Sequence, residues 1–423
     1  MLDVLAGLSV FAISLSMAGA GAAQPISVSR IEFSSDLKKI SIVYDKGSGT
    51  LQRPVVPPVN YVASGRIYWV APTGVDTNGG SATKPLKTIS KGIALARPGD
   101  VVYVKAGIYT ERITITKSGS AASPIIISAA PGDIGHVRIR LARTLVANNP
   151  GTAVVRFENG ARHVWFNGFV IEGYRGWPES PSNDDYGANG VTWSGGAGLG
   201  TRLTNNVIFN NLHCGVKEMN HGGTSILIAG NVIFENGTDG LDHGIYAPAN
   251  EISVDGNIVF YNSGWGVHSY PSPVRQTLTR NILFLNGSGG ILLAGSETRV
   301  FHNLALASRK GILYFRGGSA FNKVLNNIFA FNTETDGGYD NGGGKFGNPH
   351  DNLDDFNCYS SPPDPRIKTG LHEVYGDPLF VDAARGDFRL QPASRCIDAG
   401  TRVGFPYSGA APDPGVGEYV PAK

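Results

Sequence analysis

The chain has 423 residues, of which 41% are hydrophobic and only 17% charged, with 57 glycines and a formal net charge of +2. A balance this near neutral, without a basic stripe, excludes nucleic acid as the expected partner. Abundant glycine with little charge favours many short strands and tight turns over long helices.

Residues 1–23 read as an export signal. An apolar run from Val4 to Met17 precedes the small residues Ala18 to Ala23, although Asp3, and no Lys or Arg, stands before the run. The run is short for a bilayer, so no membrane span is expected in the mature chain. The expected location is secreted or periplasmic. In such an oxidising compartment Cys358 and Cys396 could pair, while Cys214 reads as a buried thiol. Residues 24–64 hold two strand-like runs in VSRIEFSSDLKKISIVYD and a proline-rich linker, Arg53 to Asn60. Residues 65–400 read as the main body and 401–423 as a C-terminal tail.

The body opens with strands at Tyr68 to Ala71, Val101 to Lys105 and Arg112 to Thr116. The spacing predicts one short helix, Thr88 to Ala96, stopped by Pro98-Gly99. From Thr201 to Asn332 the sequence repeats itself. Asn206, Asn231, Asn257, Asn281, Asn303 and Asn327 recur every 22 to 26 residues, each between two short apolar runs. Units of strand, turn and strand at that period stack into a solenoid with parallel sheets, and the crossover rule makes it right-handed. Six asparagines in register predict a hydrogen-bonded ladder, and Asn suits the left-handed conformation of a tight corner. A solenoid end exposes core and strand edges, so the short helix is read as its cap. Loops leave the scaffold at 175–190 and 237–242. Residues 333–375 read as irregular.

The second strand of each coil aligns on a glycine: Gly190, Gly215, Gly244, Gly266, Gly290 and Gly311. The residue after each glycine is expected inside and the next outside, because strand side chains alternate. The outward row is then Thr192, Lys217, Tyr246, His268, Leu292 and Leu313. Rungs stand about 4.8 Å apart, so Lys217, Tyr246 and His268 become neighbours, with His243 beside them. A base, an acid and a cation in contact suit proton abstraction. Trp265, Tyr270, Arg275 and Glu218 are candidate substrate-binding residues nearby. Trp165, Trp177 and Trp193 are further aromatics for stacking on a ring. The acidic residues Asp184, Asp185, Asp239 and Asp242 are weak candidates to hold Ca²⁺, all in loops.

The opening segment resembles that of bacterial right-handed parallel β-helix proteins of the pectate-lyase-like superfamily. The matching residues are Val70, Pro72, Gly74, Asp76, Pro85, Thr88, Ile89, Gly99, Asp100, Val102, Val104, Gly107, Tyr109 and Glu111, and the tail Asp377 to Gly400 is similar too. The resemblance implies an all-β, single-stranded right-handed parallel β-helix with a short N-terminal capping helix. It implies an acidic polysaccharide as partner and a secreted lyase that cleaves a uronate-containing glycan by β-elimination, expected as a monomer. Alternatives on the same fold are a C5-epimerase, a glycoside hydrolase and a non-catalytic glycan-binding solenoid. LDHGIY lacks the proline of the epimerases' Asp-Pro-His motif, and Glu218 with Asp242 is the one carboxylate pair to suggest for a hydrolase.

Overall fold

The computed structural model describes residues 64–141, 153–173, 189–219, 225–345, 347–383 and 386–420, with three strands between residues 28 and 52. Those strands, Val28–Phe33, Lys39–Tyr44 and Gly47–Gln52, pair antiparallel. This is one strand more than the pattern predicts, because GSGTLQ carries too much glycine to read as a strand. The export-signal segment and the linker Arg53 to Asn60 lie outside the described residues.

From Ile67 onward each coil visits three sheets in a fixed order, and every sheet is parallel. The first and second sheets have 11 strands each and the third has 9 among the described residues. One coil shows the pattern: Arg202–Thr204 in the first sheet, Val207–Phe209 in the second, Val216–Glu218 in the third. The next coil returns to the first sheet at Leu227–Ala229. Three-residue strands suffice because each rung bonds to the rungs above and below rather than to its own coil. The inward side chains stack by kind. Leu203, Ile228, Val254, Leu278, Val300 and Val324 line one wall, each at most 1% exposed. Burying such a side chain contributes about 1.5–3 kcal/mol, and every coil supplies at least one from each sheet.

The expected asparagine ladder stands at the corner between the first and second sheets. Each side-chain amide donates to the next asparagine's Oδ1, at 3.0 Å from Asn206 to Asn231 and 2.9 Å from Asn231 to Asn257. The series runs on through Asn281, Asn303 and Asn327 to Asn357. Each amide also donates to a buried carbonyl, as Asn281 does to Val254 at 2.8 Å. One detail differs from expectation: the left-handed residue is the one before the ladder, for example Asn205, Arg280, His302 and Asn326 at φ 53–60°. A second ladder marks the corner into the third sheet, from Asn211 through Asn236 and Asn262 to Asn286.

The capping helix is Ile89–Leu95, with Thr88 as N-cap accepting from the Lys91 amide. The motif carboxylates finish its N-terminus: Asp76 accepts from the Lys87 and Thr88 amides, and Glu111 from those of Ile89 and Ser90. Helix amides left without intrahelical acceptors need such partners. At the other end, residues 333–375 are not irregular throughout. Thr335–Asp340, Leu353–Asp355, Cys358–Tyr359 and Val374–Tyr375 continue all three sheets. The loop between them stretches the ladder step to 30 residues, from Asn327 to Asn357, which breaks the period in the sequence. The outer face of the second sheet carries a stack of Phe209, Phe234, Phe260 and Phe284, with centroids 4.8–5.1 Å apart. The hairpin Phe380–Asp382 and Asp387–Leu390 packs over it, and a Cys358–Cys396 disulfide ties this segment to the second sheet. The described residues therefore leave two other faces as candidates for function, the outer sides of the first and third sheets.

Candidate functional site

The third sheet sets Thr192, Lys217, Tyr246, His268, Leu292 and Leu313 in direct register on successive rungs. Their inward neighbours Val191, Val216, Ile245, Val267, Ile291 and Ile312 are fully buried. On the outer side the Lys217 ammonium stands 5.7 Å from the centre of the Tyr246 ring. Tyr246 and His268 stack at 5.3 Å, His243 and His268 at 4.0 Å, and His243 and Tyr246 at 5.8 Å. Tyr270 extends the row, 5.2 Å from His268. A cation, a phenol and two imidazoles thus share one patch of sheet.

His243 reaches this patch through a break in the strand alternation. In the coil above, Gly266 and Val267 both face inward: a Cβ on Gly266 would meet Leu283 and Asn286 of the interior. The residue before such a pair therefore faces out, which brings His243 and Trp265 to the outer face. His243 Nδ1 accepts the Trp265 backbone N–H at 3.1 Å, so that nitrogen carries no proton. The approach requires Gly264, where a Cβ would lie 2.4 Å from the imidazole. Burial, with His268 and the Lys217 charge beside it, holds His243 well below the usual histidine range. Burial also pushes His268 down to about 3. Both imidazoles are neutral near pH 7 and able to accept a proton. The His268 Nδ1 is buried with no hydrogen-bond partner among the described residues.

The remaining candidates separate. Trp265 lies over Gly289, where a Cβ would touch its ring at 2.3 Å, and joins Leu292, Ala294 and Leu313 in an apolar cluster on the outer face. Glu218 does not face outward: it is 1% exposed and, in register with Trp193, turned into the coil. The alternation that sends Lys217 out sends Glu218 in, so the carboxylate pair suggested with Asp242 does not form on this face. Arg275 is held at a corner, at φ 57°, by the Glu251 carboxylate at 2.9 Å. It lines a groove against the first sheet rather than this patch. Trp193 is core, stacked on Phe157 with Nε1 donating to Thr201. Trp165 belongs to the first sheet, under the Arg202 guanidinium at 4.2 Å. Trp177, Asp184 and Asp185 lie outside the described residues.

Two contacts were not foreseen. Arg316 donates to the Tyr270 hydroxyl at 2.8 Å and stacks on Phe315; 46 residues of separation hide that pair in the sequence. His213 meets Asp242 at 2.9 Å. Burial alone would raise the Asp242 carboxyl, but His213 and the Thr238 and Asp239 amides outweigh it and hold it below the usual range. Asp242 thus has both oxygens engaged, and Asp239 accepts from the Leu241 amide. Among the described residues no group of three or more His, Cys, Asp or Glu could hold a metal ion, so the described loop aspartates do not fit a calcium centre. No helix of the described residues is long and apolar enough to cross a membrane.

Comparison with known proteins agrees with the fold. A family model described as periplasmic copper-binding protein (NosD) matches residues 167–349, and a family of unknown function matches residues 72–116, the cap. Pectate lyase L of Dickeya chrysanthemi is 35% identical over 77 residues, which is 16% of this chain and 18% of that protein. Pectate lyase PEL9 of Emericella nidulans is 36% identical over 67 residues, 15% of this chain and 16% of that protein. The chain thus matches less than a fifth of the length of these relatives. Among solved structures, pectate lyase Pel9A superposes with a TM-score of 0.60 at 19% identity, covering 84% of this chain and 97% of that one. A rhamnogalacturonan lyase superposes with a TM-score of 0.54 at 16% identity, covering 75% of this chain and 91% of that one. The three parallel sheets, the capping helix and these superpositions together identify the fold as a right-handed parallel β-helix, the fold of those lyases.

Proposed function

We propose that this protein is an exported lyase that cleaves a uronate-containing polysaccharide by β-elimination on the outer face of the third sheet. The observation that carries the reading is the stacking of Tyr246, His268 and His243 on adjacent rungs with the Lys217 ammonium beside them. In the reaction a base removes the proton beside the uronate carboxylate. The electron pair forms a C4–C5 double bond, the glycosidic C4–O bond breaks, and the leaving oxygen takes a proton. Lys217 faces the substrate carboxylate and offsets the charge that grows there. His268 accepts the proton. Its affinity for protons is low in the empty site, and an approaching carboxylate raises it. Tyr246, between the cation and the imidazole, gives a proton to the leaving oxygen. Tyr270, held by Arg316, and Trp265 would border the sugar rings.

Support for a carbohydrate substrate comes from the fold shared with lyases and from the aromatic rim of the patch. The copper named in the NosD description finds no supporting cluster among the described residues. The test is turnover of pectate, alginate, glucuronan and glycosaminoglycans, with and without chelator, read as ultraviolet absorbance of unsaturated uronate ends. Absorbance that rises with one polymer and survives chelator is the expected result. No rise with any of them, together with exchange of the C5 proton by NMR, would replace the lyase by an epimerase.

A further inference from the structure

The corner between the third and first sheets carries a column of left-handed residues, one per coil: Glu251, Arg275, Glu297 and Phe321, at φ 54–58°. The first-sheet strands that follow put Thr277, Arg299 and Lys323 in register beside them. These residues and Gln276 line an open groove of about 430 Å³, which lies outside the patch of Lys217, Tyr246 and His268. Left-handed backbone at non-glycine positions carries a cost, and here it turns each column side chain out beside the groove.

The groove has the chemistry to bind a ligand. Glu251 is occupied by Arg275. Arg299 and Lys323 stand on adjacent rungs, both exposed, and neither side chain has a hydrogen bond or ion pair with a described residue. Like charges carried on rungs about 4.8 Å apart repel each other, and an anion between them relieves that repulsion. Phe321, one position along the column from Glu297, is 59% exposed, with its ring perpendicular to that of His350. An aromatic face beside a bare cation pair matches a pyranose ring that bears a carboxylate. Glu297, exposed in the column, can accept from ring hydroxyls.

We propose that this groove is a second, non-catalytic binding site for an acidic polysaccharide. It holds one stretch of the polymer on the first sheet while the third sheet acts on another. The ligand class rests on the function proposed above; the site itself rests on the groove. The test is electrophoresis in native gels containing polygalacturonate, alginate or, as a neutral control, dextran. An acidic polymer is expected to retard the parent protein and a Tyr246→Phe/His268→Ala variant alike. Arg299→Gln/Lys323→Gln and Phe321→Ala should each weaken that retardation about tenfold or more. Turnover of a trimer of the same polymer should stay unchanged in these groove variants. Groove-dependent retardation without turnover of any uronate polymer would support the groove and count against the lyase. Retardation that the groove variants leave intact, that dextran matches, or that is missing from the parent in both acidic gels overturns the proposal.

Discussion

Tyr246 lies between a cation 5.7 Å from its ring and an imidazole stacked at 5.3 Å. Removing its hydroxyl alone leaves that packing in place. Tyr246→Phe is therefore expected to lower kcat by about 10²–10⁴-fold, the usual worth of a positioned proton donor, with KM little changed. Steady-state turnover of the best polymer checks this; a kcat within threefold of the parent would remove Tyr246 from the chemistry. In the proposed reaction the Lys217 ammonium meets the substrate carboxylate before and during the chemistry, so Lys217→Ala should instead act on KM as well as kcat. At this scale the sequence was readable where alternation is strict. Lys217, Tyr246 and His268 follow from counting two residues past a glycine. Glu218 follows from the same count, with the opposite sense. Trp265 and His243 do not, since each stands before two successive inward residues, Gly266 and Val267 in one coil and Gly244 and Ile245 in the other, which shift the phase. Arg275 was the hardest to read, because a left-handed corner residue obeys no strand periodicity.

Asparagine ladders are the element that fixes the coils, and a ladder rung fails in a definite way. Asn281 accepts from both the backbone and side-chain amides of Asn257, at 3.0 Å each, and donates to the Val254 carbonyl at 2.8 Å. Asn281→Ala leaves the buried Asn257 backbone N–H without its acceptor, takes one acceptor from the Asn257 side-chain amide, and removes a donor from both the Val254 carbonyl and Asn303 Oδ1. Each unsatisfied group costs about 1–3 kcal/mol, so the variant should lose several kcal/mol. Unfolding of so long a solenoid is best followed as apparent Tm together with protease susceptibility. Asn205→Ala, half-buried at the same corner where its amide donates to Asn167, is the comparison and should cost less than Asn281→Ala. The first ladder was legible because its asparagines recur at 22 to 26 residues between apolar runs. The second, from Asn211 to Asn286, has the same period and was equally present in the sequence as a Phe-x-Asn recurrence. The last coil was not legible, because a Gly- and Asn-rich loop lengthens the step to 30.

Across the whole molecule, pH should act on two sets of buried groups in opposite directions. Near the C-terminal end Tyr314 and Tyr359 both donate to the buried Asp354 carboxylate, and Glu373 shares a hydrogen bond with it. Burial, then the Asp354 charge, pushes the Glu373 carboxyl from 4.5 up to about 9. The folded state therefore holds a proton that the unfolded chain has already released. Stability from this group is complete below pH 4.5 and is lost as pH rises toward about 9. The buried imidazoles slope the other way. His268, at about 3, and His302, at about 4, are depressed chiefly by burial, so their contribution is present above pH 6.5 and lost as pH falls below it. Between pH 4.5 and 6.5 the two slopes oppose each other; from 6.5 to 9 the carboxyl acts without the imidazoles. Apparent Tm should thus fall between pH 7 and pH 9 in the parent. Glu373→Gln keeps the shape and removes the titration, so its Tm should hold more nearly level over that window. Each coil leans mainly on its neighbours, and the loss should begin where Glu373 sits. Hydrogen exchange at pH 9 should show the amides of Cys358–Tyr359 and Val374–Tyr375 opening before those of the third sheet around Tyr246. Equal opening of both regions, or a Glu373→Gln variant as pH-sensitive as the parent, would assign the slope to groups other than this pair.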